Sequence, residues 1–430
     1  MDIQNEKNHI FNIKFTKLIG LYQMVDPKSI KLRGGNIYHV VMWCVMLYVF
    51  IVSMILVLSG LYYWTVNIPI SMDYIWKSVT TFYITYKTWL IMRHSNDIWN
   101  CLSITRYDFT SFSNRNKHVL DHWRERLTWF MTMYTIMYFT AVVSSSVTTL
   151  AFSGVKLPVK NHEGSVGYYR LNILNFYLIA SDDTYNSHYN KFYFFETLSL
   201  IVMTMVFLVF DMLLVTLCFG MCCQMEMISS AFESVGHKSL RDQHSSIDST
   251  DENENKSSND HDLIYYEELK TIIMDHQVLM KKYEDFLTLF RRVMLLHLFV
   301  SSFSVIMLCL TVIMSFSSDD RFKTSDVIVE KMICSIPSIF FQIYMVCYLF
   351  GSIHAQKDSI IFALYSSNWT EMDMKCKQLI LLTMILNNTN HKMLKFTRTK
   401  IVNLEMFFKI MGDCYTVISV LVNYIQTKNE

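Results

Sequence analysis

The sequence predicts an all-α membrane protein with seven transmembrane helices, and its composition and its long apolar stretches support this. Of its 430 residues, 52% are hydrophobic and 17% are charged, whereas a soluble domain carries charge on about a quarter of its residues. The net charge of +1 gives no global attraction to nucleic acid. A bilayer-crossing helix needs about 20 apolar residues. Seven stretches of that kind lie near 38–64, 74–93, 127–152, 193–222, 293–317, 332–353 and 401–425.

The distribution of Lys and Arg predicts how these helices are oriented. Both residue types are frequent in the N-terminal segment and in the second, fourth and sixth connections, while the first connection, 65–73, has none. Because cytoplasmic segments are enriched in Lys and Arg, the N-terminus is expected in the cytoplasm and the C-terminus outside. This is the reverse of a G-protein-coupled receptor, and no D-R-Y or N-P-x-x-Y sequence occurs.

The chain is predicted to divide into four parts. Residues 1–37 form a cytoplasmic N-terminal segment, and 38–235 hold the first four helices. Residues 236–262 are polar and charged without periodicity, which is typical of a disordered insertion. Residues 263–430 hold the last three helices together with cytoplasmic helical extensions.

A heptad-like apolar pattern comes directly after the insertion. Spacings of three and four residues along one helix place side chains on a common face, here called the seam. The seam comprises Leu269, Ile272, His276, Leu279, Tyr283, Phe286 and Phe290. Its partner is either another helix of this chain or a second subunit, and His276 is expected to be a packing residue.

Motifs of catalysis and of metal binding are missing from the sequence. It contains no Walker loop, no HExxH, no GxSxG and no paired CxxC. Cys218 and Cys222 have helical spacing, but no His or carboxylate pattern completes a metal site around them. Asp211 is the one charge deep in the fourth span, and Lys77 and Lys87 interrupt the second. We therefore predict no enzyme and no cofactor.

The last span has two unlike halves. Glu405, Lys409 and Asp413 are four residues apart and so share one helix face. Residues 414–425 are uncharged. A helix of this kind is typical of an ion pore, in which hydrated ions occupy the charged end and an apolar constriction closes the other end. Alternatively, the three charges simply pair with each other at a helix end.

The final third of the chain resembles the insect odorant receptor family. The sixth span and the segment after it contain the family's spaced residues, and the last helix begins with a similar L-E-x-F-x-x-I pattern. These positions are Cys347, Gly351, Ser359, Ala363-Leu364-Tyr365, Trp369, Leu404-Glu405-Met406-Phe407-Phe408-Lys409-Ile410 and Cys414-Tyr415-Thr416. Leu421 stands where the related gustatory receptors have Gln, which favours the odorant branch. A gustatory-type channel remains the alternative.

The resemblance implies a ligand-gated cation channel in the plasma membrane of sensory neurons. Four subunits would surround one pore lined by the last helix, and this chain would be a tuning subunit that assembles with the shared co-receptor subunit. Ile418 and Val422 would form the constriction, with Glu405, Lys409 and Asp413 along the same pore. Subunit packing is assigned to Ile272, His276, Leu279, Tyr283, Phe286, Tyr365 and Trp369.

The resemblance also implies an odorant pocket in the outer region of the subunit, where the predicted topology places parts of the second, third and fourth helices. Volatile ligands have few polar atoms, so apolar enclosure with one or two hydroxyl groups is expected to hold them. The candidate residues are Val79, Phe82, Tyr83, Tyr86, Tyr138, Ser145, Thr149, Phe195, Ser199 and Met203. Phe82, Tyr83 and Tyr86 are favoured because they share a helix face. Membrane lipid and a volatile odorant are the expected partners besides the co-receptor.

The orientation can be tested with epitope tags on the two termini. A C-terminal tag is expected to bind antibody on intact cells, whereas an N-terminal tag is expected to bind only after permeabilisation, because Lys and Arg favour the cytoplasmic side. Staining of the N-terminal tag on intact cells would contradict the assignment.

Overall fold

The computed structural model describes residues 9–10, 13–18, 20–27, 29, 31–32, 35–112, 117–160, 164–237, 254–315, 326–389, 394–395 and 400–429. Helices dominate, and two short antiparallel hairpins complete the fold. In chain order the elements are α1 (Ile13–Leu18), α2 (Leu21–Val25), β1 (Lys31–Leu32), β2 (Gly35–Asn36), α3 (Ile37–Tyr63), α4 (Ile68–Arg93), α5 (Ser95–Cys101), a 3₁₀ turn (Leu102–Thr105), α6 (Lys117–Ala151), β3 (Lys156–Lys160), β4 (Val166–Arg170), α7 (Asp182–Ser187), α8 (Tyr189–Ser234), α9 (Glu254–Ser315), α10 (Asp326–Ser366), a second 3₁₀ turn (Trp369–Glu371), α11 (Met374–Thr389) and α12 (Leu404–Asn429).

Each of the seven predicted spans coincides with one long helix. Five of the described helices are apolar and long enough to cross a membrane by length and composition: Ile37–Tyr63, Lys117–Ala151, Tyr189–Ser234, Leu263–Ile313 and Met332–Ser366. The other two, α4 and α12, are more polar because charged residues interrupt them. The predicted helical membrane architecture is confirmed.

Helix α8 forms the centre of the bundle. Its residues from Phe207 to Met225 are buried on every side, as expected for a helix that is apolar all round. It packs against α4, α6, α9 and α10. The helices α3 and α4 are close neighbours because the connection between them is short, and Gly60 lets them approach. A Cβ atom at Gly60 would lie 3.1 Å from Cγ1 of Ile75.

The seam on α9 finds its partner within the chain. All seven of its residues are buried. The Phe286 ring stacks on Phe350 of α10 with centroids 5.9 Å apart, and the His276 ring meets Phe232 of α8 edge-on at 6.3 Å. The first of the two possible partners, another helix of the same chain, is thus the one observed. His276 is a packing residue, as predicted.

This burial corrects the assignment of the seam to subunit packing. Ile272, His276, Leu279, Tyr283 and Phe286 have almost no surface left for a second subunit, because α8 and α10 already cover them. Tyr365 and Trp369 differ, since the Tyr365 side chain is 66% exposed and Trp369 is half-buried. Of the predicted insertion, 238–253 lies outside the described residues, and 254–262 belongs to α9.

A loop between the β3–β4 hairpin and α7 closes one end of the bundle. Residues 171–177 are buried, and their backbone is fastened to Glu196 on α8. The Glu196 carboxylate accepts hydrogen bonds from the N–H groups of Leu174 at 2.6 Å, Asn175 at 2.9 Å and Phe176 at 3.3 Å. It also accepts one from the Tyr185 hydroxyl at 2.9 Å. One buried acid therefore holds the whole loop, here called the cap, in place.

Replacing Glu196 tests the role of this carboxylate. Glu196→Ala leaves three buried N–H groups without an acceptor, and each unsatisfied group costs about 1–3 kcal/mol. The midpoint of thermal unfolding of the detergent-solubilised protein is expected to fall clearly, and Glu196→Gln, which retains one oxygen, is expected to fall less. The exposed acid Glu233 on the same helix supplies the control Glu233→Ala. Equal midpoints for Glu196→Ala and Glu233→Ala would contradict the role.

Candidate ligand-binding site

A cavity of about 530 Å³ lies beneath the cap and is lined by residues of α3, α4, α6, α8, α9 and α10. Its volume falls in the range of about 300–1,000 Å³ that holds small organic ligands. Much of the wall is apolar, formed by Leu56, Ile84, Met137, Met203, Phe207, Val300 and Ile339. Ile173 and Leu174 of the cap close its outer end.

Hydroxyl groups form a second part of the wall. They belong to Thr80, Thr81, Thr140, Ser144, Ser145, Thr204, Ser301, Ser304, Ser335 and Ser338. Some donate to the carbonyl of their own helix, as Ser304 does to Val300 at 2.8 Å and Thr81 to Lys77 at 3.0 Å. A hydroxyl used in this way still has an oxygen that accepts a hydrogen bond. The wall can thus orient a ligand without being strongly polar.

The inner end of the cavity leads into a buried charged network. Lys87 on α4 and Asp211 on α8 form an ion pair with Nζ 2.8 Å from Oδ1, and each side chain is 1% exposed. The second carboxylate oxygen accepts hydrogen bonds from the hydroxyls of Tyr134 at 2.5 Å and Tyr138 at 3.2 Å. Gln342 of α10 donates to the Tyr138 hydroxyl at 2.9 Å. Three side chains therefore meet at the Asp211 carboxylate, and Gln342 joins through Tyr138, so the network links four helices.

Aromatic rings complete the surroundings of Lys87. Its ammonium nitrogen lies 3.8 Å from the ring centroid of Phe207, 4.6 Å from that of Phe210 and 4.8 Å from that of Tyr83. A cation over an aromatic face is attracted by the ring quadrupole. Tyr83 and Phe207 also line the cavity, so the cavity wall and the charged network share side chains.

The outer end of the cavity carries a second charged pair. Lys77 lies one helical turn after Asp73 on α4, and its ammonium donates to the carboxylate at 2.6 Å. The indole of Trp76 donates to the other carboxylate oxygen at 3.1 Å. Lys77 also reaches the carbonyl of Ile173 in the cap at 3.4 Å. All four residues line the cavity.

Four of the ten predicted pocket residues line this cavity, namely Tyr83, Tyr138, Ser145 and Met203. The other six, Val79, Phe82, Tyr86, Thr149, Phe195 and Ser199, do not belong to its lining. Phe82 packs edge-on against Phe50 of α3 with centroids 5.9 Å apart. Ser199 is hydrogen-bonded to Tyr48 of α3 at 2.5 Å, and Phe195 packs on the same Tyr48 ring at 6.0 Å. Tyr86 stacks on Trp89.

The orientation of α4 about its own axis explains why some of the predicted residues on this helix lie outside the cavity lining. At 3.6 residues per turn, the residues that α4 turns toward the cavity are those near Asp73, Lys77, Thr80 and Ile84. Phe82 is nine residues after Asp73, about 180° away on the helix, and so faces α3. The spaced polar residues of α4 were the sequence signal for the cavity face, whereas Phe82 and Tyr86 of the aromatic cluster lie outside the lining.

Helix α12 lies against α9 and α10 and presents two different faces. Met406 and Cys414 are buried, and Ile418 packs near Met72 and Leu310. Glu405, Lys409 and Asp413 are exposed, and none of the ion pairs found among the described residues joins them. Lys409 and Ile418 are nine residues apart, so they lie about 180° apart around a straight helix. The predicted charged lining and the predicted constriction therefore do not share a face.

The sequence profile of the family described as 7tm Odorant receptor matches residues 71–415. This chain belongs to the odorant receptor family. The match covers most of the chain, including the cavity and nearly half of α12. The predicted family, a multi-pass membrane receptor that is not an enzyme, is thereby confirmed. A search of curated protein sequences found no match.

Solved structures show the same fold. The insect olfactory receptor OR5 from Machilis hrabei superposes with a TM-score of 0.69 at 14% identity, covering 95% of this chain and 97% of that one. Its complex with eugenol superposes with a TM-score of 0.71 at 15% identity, covering 96% and 98%. The odorant receptor described here thus has the architecture of an insect olfactory receptor over nearly its whole length.

The buried pair of this odorant receptor is expected to be essential for its stability. Lys87→Met leaves Asp211 buried without its countercharge, which costs about 3–5 kcal/mol. The double variant Lys87→Met with Asp211→Leu removes both charges and is expected to regain much of the loss. The loss in the single variant and the recovery in the double variant are measured by the midpoint of thermal unfolding and by surface expression. Wild-type stability of Lys87→Met would show that the pair contributes little.

Proposed function

We propose that this odorant receptor binds a small volatile odorant in the cavity beneath the cap and opens a cation pore lined by α12, as a tuning subunit assembled with a co-receptor. The observation that carries the proposal is the enclosed cavity itself. Its size, its apolar wall and its hydroxyl groups fit a small organic molecule. The similar receptor OR5 was solved with eugenol, a ligand of this class.

One helix separates the cavity from α12, which supports coupling between them. On α9, Val300, Ser301 and Ser304 line the cavity. On another face of the same helix, the Ser302 carbonyl accepts a hydrogen bond from the Cys414 thiol at 3.9 Å. A ligand that displaces the cavity face of α9 would therefore move the surface on which α12 rests. A binding-linked shift of that kind requires different ligand contacts in the two states.

The exposed side of α12 supports the pore and the assembly. Phe408 is 70% exposed, Tyr415 is 73% exposed and Val420 is 61% exposed. Apolar surface left open on one chain is typical of an interface. Val420 is eleven residues after Lys409, about 20° away around the helix, so it continues the charged face. We therefore place Glu405, Lys409, Asp413 and Val420 on the pore side.

Filling the cavity tests the ligand site. In cells that express the receptor with a co-receptor, Met203→Trp is expected to raise the half-maximal odorant concentration by about tenfold or more, equal to about 1.4 kcal/mol, because the indole occupies the ligand's volume. Met205, exposed on the same helix, gives the matched control Met205→Trp. An unchanged dose–response curve for Met203→Trp at equal surface expression would refute binding in this cavity.

Serine substitutions on α12 test which face lines the pore. An apolar ring blocks ions because hydrated ions find no replacement for their water. Val420→Ser is expected to raise the resting leak current several-fold, whereas Ile418→Ser, which packs toward α9, is expected to leave it near the wild-type value. Val422→Ser is the third member of the series. Leak from Ile418→Ser and Val422→Ser but not from Val420→Ser would restore the constriction predicted by the resemblance.

A further inference from the structure

The cavity has a charged or amide-bearing site at each end, and apolar and hydroxyl-bearing side chains form the wall between them. The outer site is the Asp73–Lys77 pair with the indole of Trp76. The inner site is Tyr138 with Gln342. All five side chains line the cavity. A cavity that only enclosed a hydrocarbon would gain nothing from buried polar groups at both ends, because polar groups are costly to bury.

The two sites lie apart along the helices that line the cavity. The lining residues extend over eleven positions on α4, from Asp73 to Ile84, over eight on α6, from Met137 to Ser145, and over ten on α10, from Met332 to Gln342. The shortest of these, eight positions of helix, rises about 12 Å. One hydrogen bond of about 2.8 Å at each end leaves about 6 Å between the two polar atoms of a ligand. A para-disubstituted benzene ring or a chain of about four carbons has this span.

The charges at the outer site favour a neutral hydroxyl group. A carboxylate would be repelled by Asp73, and an ammonium would be repelled by Lys77. A hydroxyl group can donate to Asp73 and accept from Lys77, so it satisfies both members of the pair. The pair itself is neutral overall and sits where the cap meets α4, with Lys77 reaching the Ile173 carbonyl at 3.4 Å.

The inner site favours a second oxygen. The Tyr138 hydroxyl donates toward Asp211 at 3.2 Å and accepts from Gln342 at 2.9 Å. Gln342 has a second amide hydrogen and a carbonyl oxygen. The amide hydrogen suits an ether, carbonyl or hydroxyl oxygen of a ligand. No formal charge of the inner site faces the cavity directly, because the Lys87–Asp211 pair is buried behind Tyr138 and Phe207.

From this arrangement we infer that the receptor selects neutral volatiles that carry oxygen at both ends, a hydroxyl group at one and a hydroxyl, ether or carbonyl at the other, about 6 Å apart. Hydrocarbons and molecules with a single oxygen are weaker ligands. This inference rests on the proposed binding of odorants in the cavity, and it adds the chemical class of the ligand.

Four probes of nearly equal shape test the class. They are 4-methoxybenzyl alcohol, with both oxygens; 4-ethylbenzyl alcohol and 4-ethylanisole, with one each; and a para-dialkylbenzene with none. Each hydrogen bond is worth about 0.5–1.5 kcal/mol, about 2- to 12-fold in half-maximal concentration. Activation of the receptor with its co-receptor is expected to be strongest for the two-oxygen probe, intermediate for the single-oxygen probes and weakest for the dialkylbenzene.

Variants at each end of the cavity test which residues bind each oxygen of the probes. Gln342→Leu removes the inner amide, and the double variant Asp73→Leu with Lys77→Met removes the outer pair without leaving a lone charge. Each variant is expected to raise the half-maximal concentration of the two-oxygen probe about 2- to 12-fold. Each is also expected to leave the half-maximal concentration of one single-oxygen probe unchanged, and that probe differs between the two variants. Met205→Leu, an apolar change outside the cavity lining, is the control and is expected to leave the potency of all four probes unchanged.

The outcomes separate this inference from the proposed function. If Met203→Trp abolishes the responses while both polar variants weaken all four probes equally, the cavity is the site and the two-ended selection is wrong. If Met203→Trp has no effect, the proposed site fails and the inference fails with it. Equal potency of the four probes on the wild-type receptor, or no activation by any of them, also overturns the inference.

Discussion

The buried pair of Lys87 and Asp211 is the constraint around which this bundle is organised. Two charges in the apolar centre of a membrane protein are tolerated only when each is neutralised and hydrogen-bonded. Here the carboxylate is shared between a lysine and two tyrosines, and the lysine is surrounded by aromatic rings. Satisfying that carboxylate fixes the relative positions of α4, α6 and α8. Gln342 extends the network to α10.

The cavity lies directly beside this network and depends on it. Tyr83, Tyr138 and Phe207 each contribute one surface to the cavity and another to the charged pair. The cap is secured at the other end by a separate buried acid, Glu196, through its backbone N–H groups. Two buried acids on α8 therefore hold the structures at the two ends of the cavity, Glu196 the cap and Asp211 the charged network. The apolar wall between them needs only to be filled with side chains of suitable size, which many sequences can supply.

Much of the fold could be predicted from sequence because membrane helices are recognised from length and apolar composition. The positions of all seven long helices and the packing role of His276 could be predicted from such patterns. The pairing of Lys87 with Asp211 could not be predicted, since 124 residues separate them and either could have faced water. The predicted pocket residues lie on α4, α6 and α8, which line the cavity, but of the three favoured residues on α4 only Tyr83 belongs to the lining. Aromatic residues attract attention as ligand contacts, whereas in this chain Phe82 and Tyr86 fill the space between helices.

The continuity of α9 has a consequence for how this chain can vary in length. The helix runs unbroken from Glu254 to Ser315, with the seam from Leu269 to Phe290 and the cavity face from Val300 to Ser304. Deleting one residue between Phe290 and Val300 would rotate the two halves by about 100° relative to each other. Either the seam residues or the cavity-lining residues of α9 would then be turned away from their present packing partners. A change in the number of residues between Phe290 and Val300 is therefore expected to disrupt either the packing of the seam or the wall of the cavity, whereas substitutions there keep the two faces in register.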